Sequence, residues 1–474
     1  MLTSGGTEAL IALEDDAPDV LFATIPGTNT YLWPHLRMDF AQAAAEVELN
    51  SVAVPRTYSR AEAYRRLLGA YLPDRRSTRA IRSPSDYCYV VGGVTTRVTE
   101  EGEENWLVDA FARARTPQSV VIQDRAFPHG RRTRVKFPHT FSFDAALARV
   151  DVATKLSPLS SDAVAAVSRV ISGVAERFGF SLDPERVARI ERAAIYRLAR
   201  IRHVEKQYTR LLDQVQPRAV VMEDASYGGR ASVISMMKDR GIRVLEPQHG
   251  WIGPSHGAYN FGSAMSTPEL KKTLPDILLT FGDFWTSSVR HPAEVVSIGK
   301  PYLEEQARDV PGLADRPREF LIVSSVAEPH KMAEFTLAVR DALGSRWRVL
   351  FRPHPSERAR VKERYPDLLG ARGIEFDLDP DVYSVLRRVR GVVGVASTVL
   401  YEALVMGCHV FVKESPFSQY YIDNLFGEPV DGIGGIQRIA DEVTRHLVPS
   451  ASPAMLDSLW KPGAVDNFLR VLEP

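Results

Sequence analysis

Four short segments of this 474-residue chain gather side chains able to move protons or hold anions. In Glu223-Asp224-Ala225-Ser226-Tyr227-Gly228-Gly229, two carboxylates follow the apolar run Ala219–Met222, and the glycines let the backbone turn closely. One such carboxylate can deprotonate a hydroxyl, because repulsion from its neighbour raises its pKa toward neutrality. The competing reading is an N-cap pair for the next helix. The segment Gln248-His249-Gly250-Trp251-Ile252-Gly253-Pro254-Ser255-His256-Gly257 offers two histidines in glycine-flanked turns. Each can act as a base or hydrogen-bond a sugar or phosphate, or simply cap a strand end. Their spacing is not that of a zinc site, and no metal is expected.

The other two segments suit anion binding. In Arg352-Pro353-His354-Pro355, two prolines fix the backbone around a histidine beside a guanidinium. Such cationic or donor groups offset charge developing on a phosphate leaving group; the alternative is a solvated turn. In Gly394-Val395-Ala396-Ser397-Thr398-Val399-Leu400-Tyr401-Glu402, two hydroxyls open a helix whose free N–H groups attract anions. Glu402, one turn in, can accept from ribose hydroxyls, or Ser397, Thr398 and Glu402 are an ordinary cap and first-turn acid.

These segments need strands behind them, and the pattern supplies strands. Asp19–Ile25 reads as a first strand closed by a turn containing Gly27 and Asn29, with a helical pattern from Leu32. The stretch 52–84 reads mainly as helix, Tyr87–Val91 and Ser119–Ile122 as strands, and Pro128–Thr140 as a basic surface segment. Asp162–Phe178 and Asp183–Val215 read as amphipathic helices. From Gln216 onward, strands and helices alternate through Ala219–Met222, Arg243–Pro247, Asp276–Phe281, Val295–Ile298, Glu319–Ser325, Trp347–Phe351, Ile374–Phe376, Val392–Val395 and His409–Val412. That alternation predicts doubly wound parallel sheets with ligands at the carboxyl ends of their strands. Two such Rossmann-like α/β domains are expected, facing each other across a cleft. The first covers residues 1–294, the second 295–450, and a tail of 451–474 returns to the first.

Bulk properties narrow the class. Apolar residues at 45% and charged residues at 25% fit a globular enzyme rather than a disordered chain. Lys plus Arg equals Asp plus Glu at 59 each, so no global field favours nucleic acid, which is not an expected partner. Only Cys88 and Cys408 are present, too few to staple a chain of this length, which suits a reducing cytoplasm. The N-terminus lacks the pattern of a secretion signal, and no run reaches spanning length. Peripheral association with the inner face of a membrane stays open.

The order of these motifs resembles bacterial GT-B glycosyltransferases that use CMP- or CDP-activated donors: sialyltransferases, capsule Kdo transferases and teichoic-acid glycerophosphotransferases. Glu223-Asp224, His354-Pro355 and Ser397-Thr398 match the paired-acid, His-Pro and Ser-Ser/Thr motifs of the sialyltransferases in kind and order. Gly299-Lys300-Pro301 resembles the turn that enters the nucleotide-binding domain. The family's paired acids run directly into glycine, whereas Ala225-Ser226-Tyr227 intervene here, and the Gln-His-Gly loop is nearer the glycerophosphate enzymes. The resemblance spans about Arg218–Pro416. It implies an inverting, metal-independent transfer from a nucleotide-sugar cosubstrate, CMP-linked, to a glycan or lipid-linked glycan, with no other cofactor. Asp224 or Glu223 is then the base, with His249 the rival. Arg352, His354, Ser397, Thr398, Glu402, Gly299 and Lys300 bind the donor, and Gln248, His256, Gly27 and Asn29 lie on the acceptor side. Phosphotransfer from CDP-glycerol or CDP-ribitol, or 2-epimerisation of a nucleotide sugar, are the alternatives.

Overall fold

The computed structural model describes residues 5–49, 78–93, 95–124, 134–325, 328–421, 424–445, 448 and 451–473. The stretch 52–77 and most of the basic segment before residue 134 lie outside these residues. The chain divides into two compact units. One runs to Phe281 and regains Trp285–Gly299 and the segment from Gly463. The other comprises Gly282–Phe284 and Lys300–Pro462.

The larger unit is built on seven strands, β1 (Tyr87–Val91), β4 (Ser119–Gln123), β5 (Thr140–Ser142), β6 (Ala219–Met222), β7 (Arg243–Pro247), β8 (Ile277–Thr280) and β9 (Glu294–Ser297). They lie in the order β5-β4-β1-β6-β7-β8-β9 and every pairing is parallel. The inner strands are apolar throughout because both sheet faces are covered. Cys88, Val90, Val220 and Met222 pack with Tyr208, Leu211, Val233 and Met237 of the helices Pro184–Val215 and Ala231–Asp239. Their sequence neighbours Tyr89, Val91 and Val221 face the opposite way, toward Phe111, Phe137 and Phe468. Phe468 lies on the helix Ala464–Leu472 and stacks on Phe111 with centroids 4.2 Å apart, which fastens the C-terminal segment to this sheet.

A helical layer completes the unit. The 32-residue helix Pro184–Val215 starts where Asp183 Oδ1 accepts the Arg186 N–H at 2.8 Å, with Pro184 in the first turn. It and Ser161–Arg177 pack with Gly5–Asp16 and Trp33–Glu48 around Trp33, Leu36, Phe40 and Val167.

Two sequence expectations need correction, and one element was not foreseen. Asp19–Ile25 is not a strand. Pro18 starts a one-turn helix, Pro18–Leu21, and only an isolated bridge, Thr24 to Tyr31, follows. Val20, Leu21 and Ile25 are apolar because they enter the helical layer, not because they pair in a sheet. Strand β9, read as opening the second domain, pairs with β8 and forms the edge of the first sheet. The hairpin of β2 (Thr96–Thr99) with β3 (Gly102–Asn105) was not foreseen, since its residues are mostly polar and charged.

The smaller unit holds β10 (Glu319–Val323), β11 (Arg348–Arg352), β12 (Ile374–Phe376), β13 (Gly391–Gly394) and β14 (His409–Val412). Their order is β12-β11-β10-β13-β14, again all parallel. Phe320, Ile322, Phe351, Val393 and Phe411 form one apolar face against the helices Pro329–Leu343 and Gly432–Arg445. Both units are therefore doubly wound parallel α/β structures. In each sheet the winding reverses once, between β1 and β6 and between β10 and β13, and those reversals open the crevices where such sheets take ligands. Among the described residues no helix is long and apolar enough to cross a membrane.

The helical layer meets the first reversal at Gly228. This residue has φ +75°, and a Cβ there would stand 1.8 Å from the Pro34 carbonyl oxygen. Gly228→Ala adds left-handed strain to overpacking, so it is expected to cost about 3 kcal/mol of stability, read as a fall in denaturant midpoint.

Candidate functional site

The β1/β6 reversal carries the two adjacent carboxylates, and the fold gives them different tasks. Glu223 extends the β6 pairing by one residue, its N–H donating to Val90 O at 2.9 Å. Its side chain is buried, and Oε2 accepts from Gly92 N–H at 2.5 Å and from Thr95 Oγ1 at 3.1 Å. Asn105 of β3 donates to Thr95 Oγ1 at 2.8 Å, so the unforeseen hairpin supports this lock. Burial raises the Glu223 pKa, with His249 opposing and Asp224 adding to the shift. Glu223 thus ties the β6 loop to the loop after β1.

Asp224 points elsewhere. Its backbone is left-handed, φ 60° and ψ 29°, a conformation uncommon outside glycine that concentrates at functional positions. Its Oδ1 stands 3.2 Å from His249 Nε2, which comes from the loop after β7. The Asp224 side chain is 28% exposed and that of His249 19%, so the carboxylate is the more accessible partner. Among the described residues, buried His249 Nδ1 has no hydrogen-bond partner.

A buried polar network underlies this pair. Glu246, at the carboxyl end of β7, accepts at Oε2 from Ser226 N–H at 2.9 Å and from Ser226 Oγ, and at Oε1 from Tyr259 hydroxyl at 3.2 Å. His291 Nδ1 accepts the Ala293 N–H at 3.0 Å, which leaves its proton on Nε2, 2.9 Å from Ser226 Oγ. His256 is held likewise: Nδ1 accepts from Ala258 N–H at 3.2 Å, and Nε2 donates toward the Tyr227 hydroxyl at 3.2 Å. Burial pushes both histidines down to about 3, so both are neutral at physiological pH. The side chain of Gln248 is used within the protein, donating to Gly250 O at 2.9 Å and accepting from Phe281 N–H at 2.8 Å. Of the residues assigned to the acceptor side, Gln248 and His256 therefore shape the His249 loop from within. Gly27, φ +77°, and Asn29 sit exposed in the turn before the helix Trp33–Glu48.

Several members of this site were not picked out in the sequence. Asp124, immediately after β4, forms a buried pair with Arg230 at 2.9 Å and accepts from Tyr208 hydroxyl at 3.0 Å. Its position after a strand is the signal that flagged Glu223, and it was available. Glu246, Tyr259 and His291 gave no such signal, because each sits inside or beyond an apolar run whose pairing only the fold reveals.

In the smaller unit the β10/β13 reversal is flanked by the other two motifs. Arg352 is buried at the end of β11, paired with Asp377 and donating to Asp379 O at 2.8 Å. His354 is exposed, and its N–H donates to Ser324 Oγ at 2.9 Å. Its Nδ1 accepts from Ser356 N–H at 3.3 Å and from Ser356 Oγ at 2.7 Å, which places the ring proton on Nε2. Buried Glu357 joins the two loops, accepting from Ser324 Oγ at 2.8 Å and Tyr365 hydroxyl at 2.9 Å. Ser397 caps the helix Thr398–Val405, accepting the Val399 N–H at 3.2 Å. Glu402 meets Lys300 Nζ at 2.5 Å in a buried ion pair, and the ammonium lies 5.8 Å from the Trp460 ring centre. Gly299, φ +98°, is the turn before Lys300.

No protein-family model matches the chain, and no curated protein sequence matches it. Solved structures to which the chain is similar include the UDP-N-acetylglucosamine 2-epimerase of Rickettsia bellii, with TM-score 0.45 and 10% identity over 81% of this chain and 95% of that one. The UDP-GlcNAc 2-epimerase of Neisseria meningitidis bound to UDP-GlcNAc gives TM-score 0.45 and 10% identity over 82% and 98%. A glycosyltransferase of Rickettsia africae gives TM-score 0.40 and 12% identity over 82% and 98%.

Glu246 has a measurable pH signature. Burial pushes its carboxyl from 4.5 up to about 8, against the opposing hydrogen bonds from Ser226. Between those values the folded chain holds a proton that the unfolded chain has released. Its contribution is therefore complete below 4.5 and lost as pH rises to 8. Glu246→Gln is expected to flatten that decline in stability, measured by denaturant titration from pH 5 to pH 9.

Proposed function

We propose that this protein is an enzyme acting on a nucleotide-linked sugar, with Asp224 and His249 as its proton-transfer pair. The observation that carries the proposal is the placement of that pair. A carboxylate held in a left-handed turn meets a histidine from the adjacent loop, at the carboxyl ends of the strands beside the winding reversal of a parallel sheet. His249 Nε2 faces one oxygen of Asp224 at 3.2 Å, and the other oxygen serves as the base.

The reaction assigned is transfer of the sugar to a hydroxyl of a glycan or lipid-linked glycan, with a CMP-linked acidic sugar as the donor by resemblance. The acceptor hydroxyl gives its proton to Asp224 as its oxygen bonds to the anomeric carbon. The bond from that carbon to the nucleotide phosphate breaks on the opposite side, which inverts the centre. Within the smaller unit, His354 Nε2–H and the helix N-terminus at Thr398, capped by Ser397, are donors suited to a phosphate anion. Glu223 acts as an anchor in this scheme and not as the base, since its carboxylate is already bonded to Gly92 and Thr95.

The test is turnover of CMP-linked sugars, UDP-N-acetylglucosamine and CDP-glycerol, each with and without polysaccharide or lipid-linked acceptors. Acceptor-dependent release of nucleotide supports transfer, and Asp224→Asn is expected to lower kcat by about 10²-fold or more with an unchanged melting temperature. Turnover without acceptor and without nucleotide release indicates epimerisation, and release of CMP with phosphate kept on the product indicates phosphotransfer. Absence of turnover with every donor would overturn the proposal.

A further inference from the structure

Buried charges in folded proteins are normally neutralised, and among the described residues the buried cations at the carboxyl edge of the five-stranded sheet follow that rule with one exception. Arg352 is neutralised by Asp377, and Lys300 by Glu402. The exposed Lys331, at the start of the helix Pro329–Leu343, also pairs with Glu328. Lys413 is only 7% exposed, yet among the described residues no carboxylate oxygen lies within 4 Å of its ammonium. Its Nζ donates to Glu414 O at 3.1 Å and stands 5.6 Å from the Phe335 ring centre. Among the described residues, one carbonyl and one ring face leave donor capacity unused and supply no counter-charge, an arrangement that costs stability unless an anion completes it.

The position of Lys413 indicates what that anion is. Lys413 follows β14 directly, and its N–H donates to Gly394 O at 2.8 Å, so it lies level with the end of β13. β13 is one of the two strands that border the winding reversal. Two helices begin at this same edge, Pro329–Leu343 after β10 and Thr398–Val405 after β13, and the N-terminal partial charge of each favours an anion. Phe335, over which the ammonium lies, belongs to the first of them.

We propose that Lys413 is the phosphate-binding cation of the smaller unit, pairing with a phosphate of the nucleotide ligand. This rests on the nucleotide reading above but not on which reaction follows. It adds a cation outside all four motifs to the donor-binding residues that the resemblance implied, among which Arg352 and Lys300 each have a carboxylate partner within the protein.

The full-length wild type and Lys413→Met are compared by calorimetry with UDP, CMP, uridine and inorganic pyrophosphate, and by thermal melting without ligand. Lys413→Met is expected to weaken UDP, CMP and pyrophosphate at least about tenfold while leaving uridine unchanged. Without ligand it is expected to melt a few degrees higher, because an uncompensated charge has been replaced by an apolar chain. Equal affinity of the two proteins for the phosphate-bearing probes would overturn the proposal. So would a lower melting temperature of the variant, since the ammonium would then have its counter-charge inside the chain. Wild type that binds pyrophosphate through Lys413 but neither nucleotide would retain the anion site and overturn the nucleotide reading. Wild type that binds none of the phosphate-bearing probes would overturn both.

Discussion

The larger unit's candidate site depends on one buried carboxyl group. Glu246 accepts from both the N–H and the hydroxyl of Ser226, two residues after Asp224. A carboxyl group so buried is tolerable only when its oxygens are satisfied, and here Ser226 and Tyr259 satisfy them. The interaction fixes the turn that gives Asp224 its left-handed backbone, and that backbone aims the side chain at His249. Glu223, on the other side of Asp224, is pinned by Gly92 and Thr95. Asp224 is therefore the partly exposed member of a segment clamped at both ends, and the strain of its conformation is carried by the clamps.

The same logic explains why so much polar hardware lies under the loops. His256, Tyr227, Tyr259 and His291 form a layer of rings with centroid separations from 4.9 to 6.4 Å. Two of these rings are histidines kept neutral by burial, and each has one nitrogen committed to a main-chain N–H. Such a layer gives a fixed dielectric floor to the Asp224–His249 pair without adding charge to it. The smaller unit uses a parallel device, with Glu357 joining the Ser324 and His354 loops.

Much of this was readable in the sequence because parallel α/β sheets write themselves as short apolar runs followed by polar loops. Ala219–Met222, His409–Val412 and the long helix to Val215 are where the pattern places them. The reading failed where apolar residues served a helical layer, as at Val20 and Leu21, because short buried helix and short buried strand have the same composition. Nor does a residue type that suggests chemistry show in the sequence which internal partner the fold gives it. Arg352, Lys300, Glu402 and Gln248 have the side chains that bind ligands, and each is engaged by a partner many residues away. Conversely, Lys413 stands next to an unremarkable strand end, and only in three dimensions, where no carboxylate among the described residues reaches its buried ammonium, does it draw notice.

The central claim is that Asp224 and His249 work as a unit. A double-mutant cycle on kcat/KM, using Asp224→Asn, His249→Ala and the combined variant with the nucleotide sugar turned over by the wild type, addresses it directly. The account predicts strong coupling: each single variant loses most of the activity, and the double variant is little worse than the poorer single one. Losses that simply add in free energy, or a His249→Ala enzyme as active as the wild type, would contradict it.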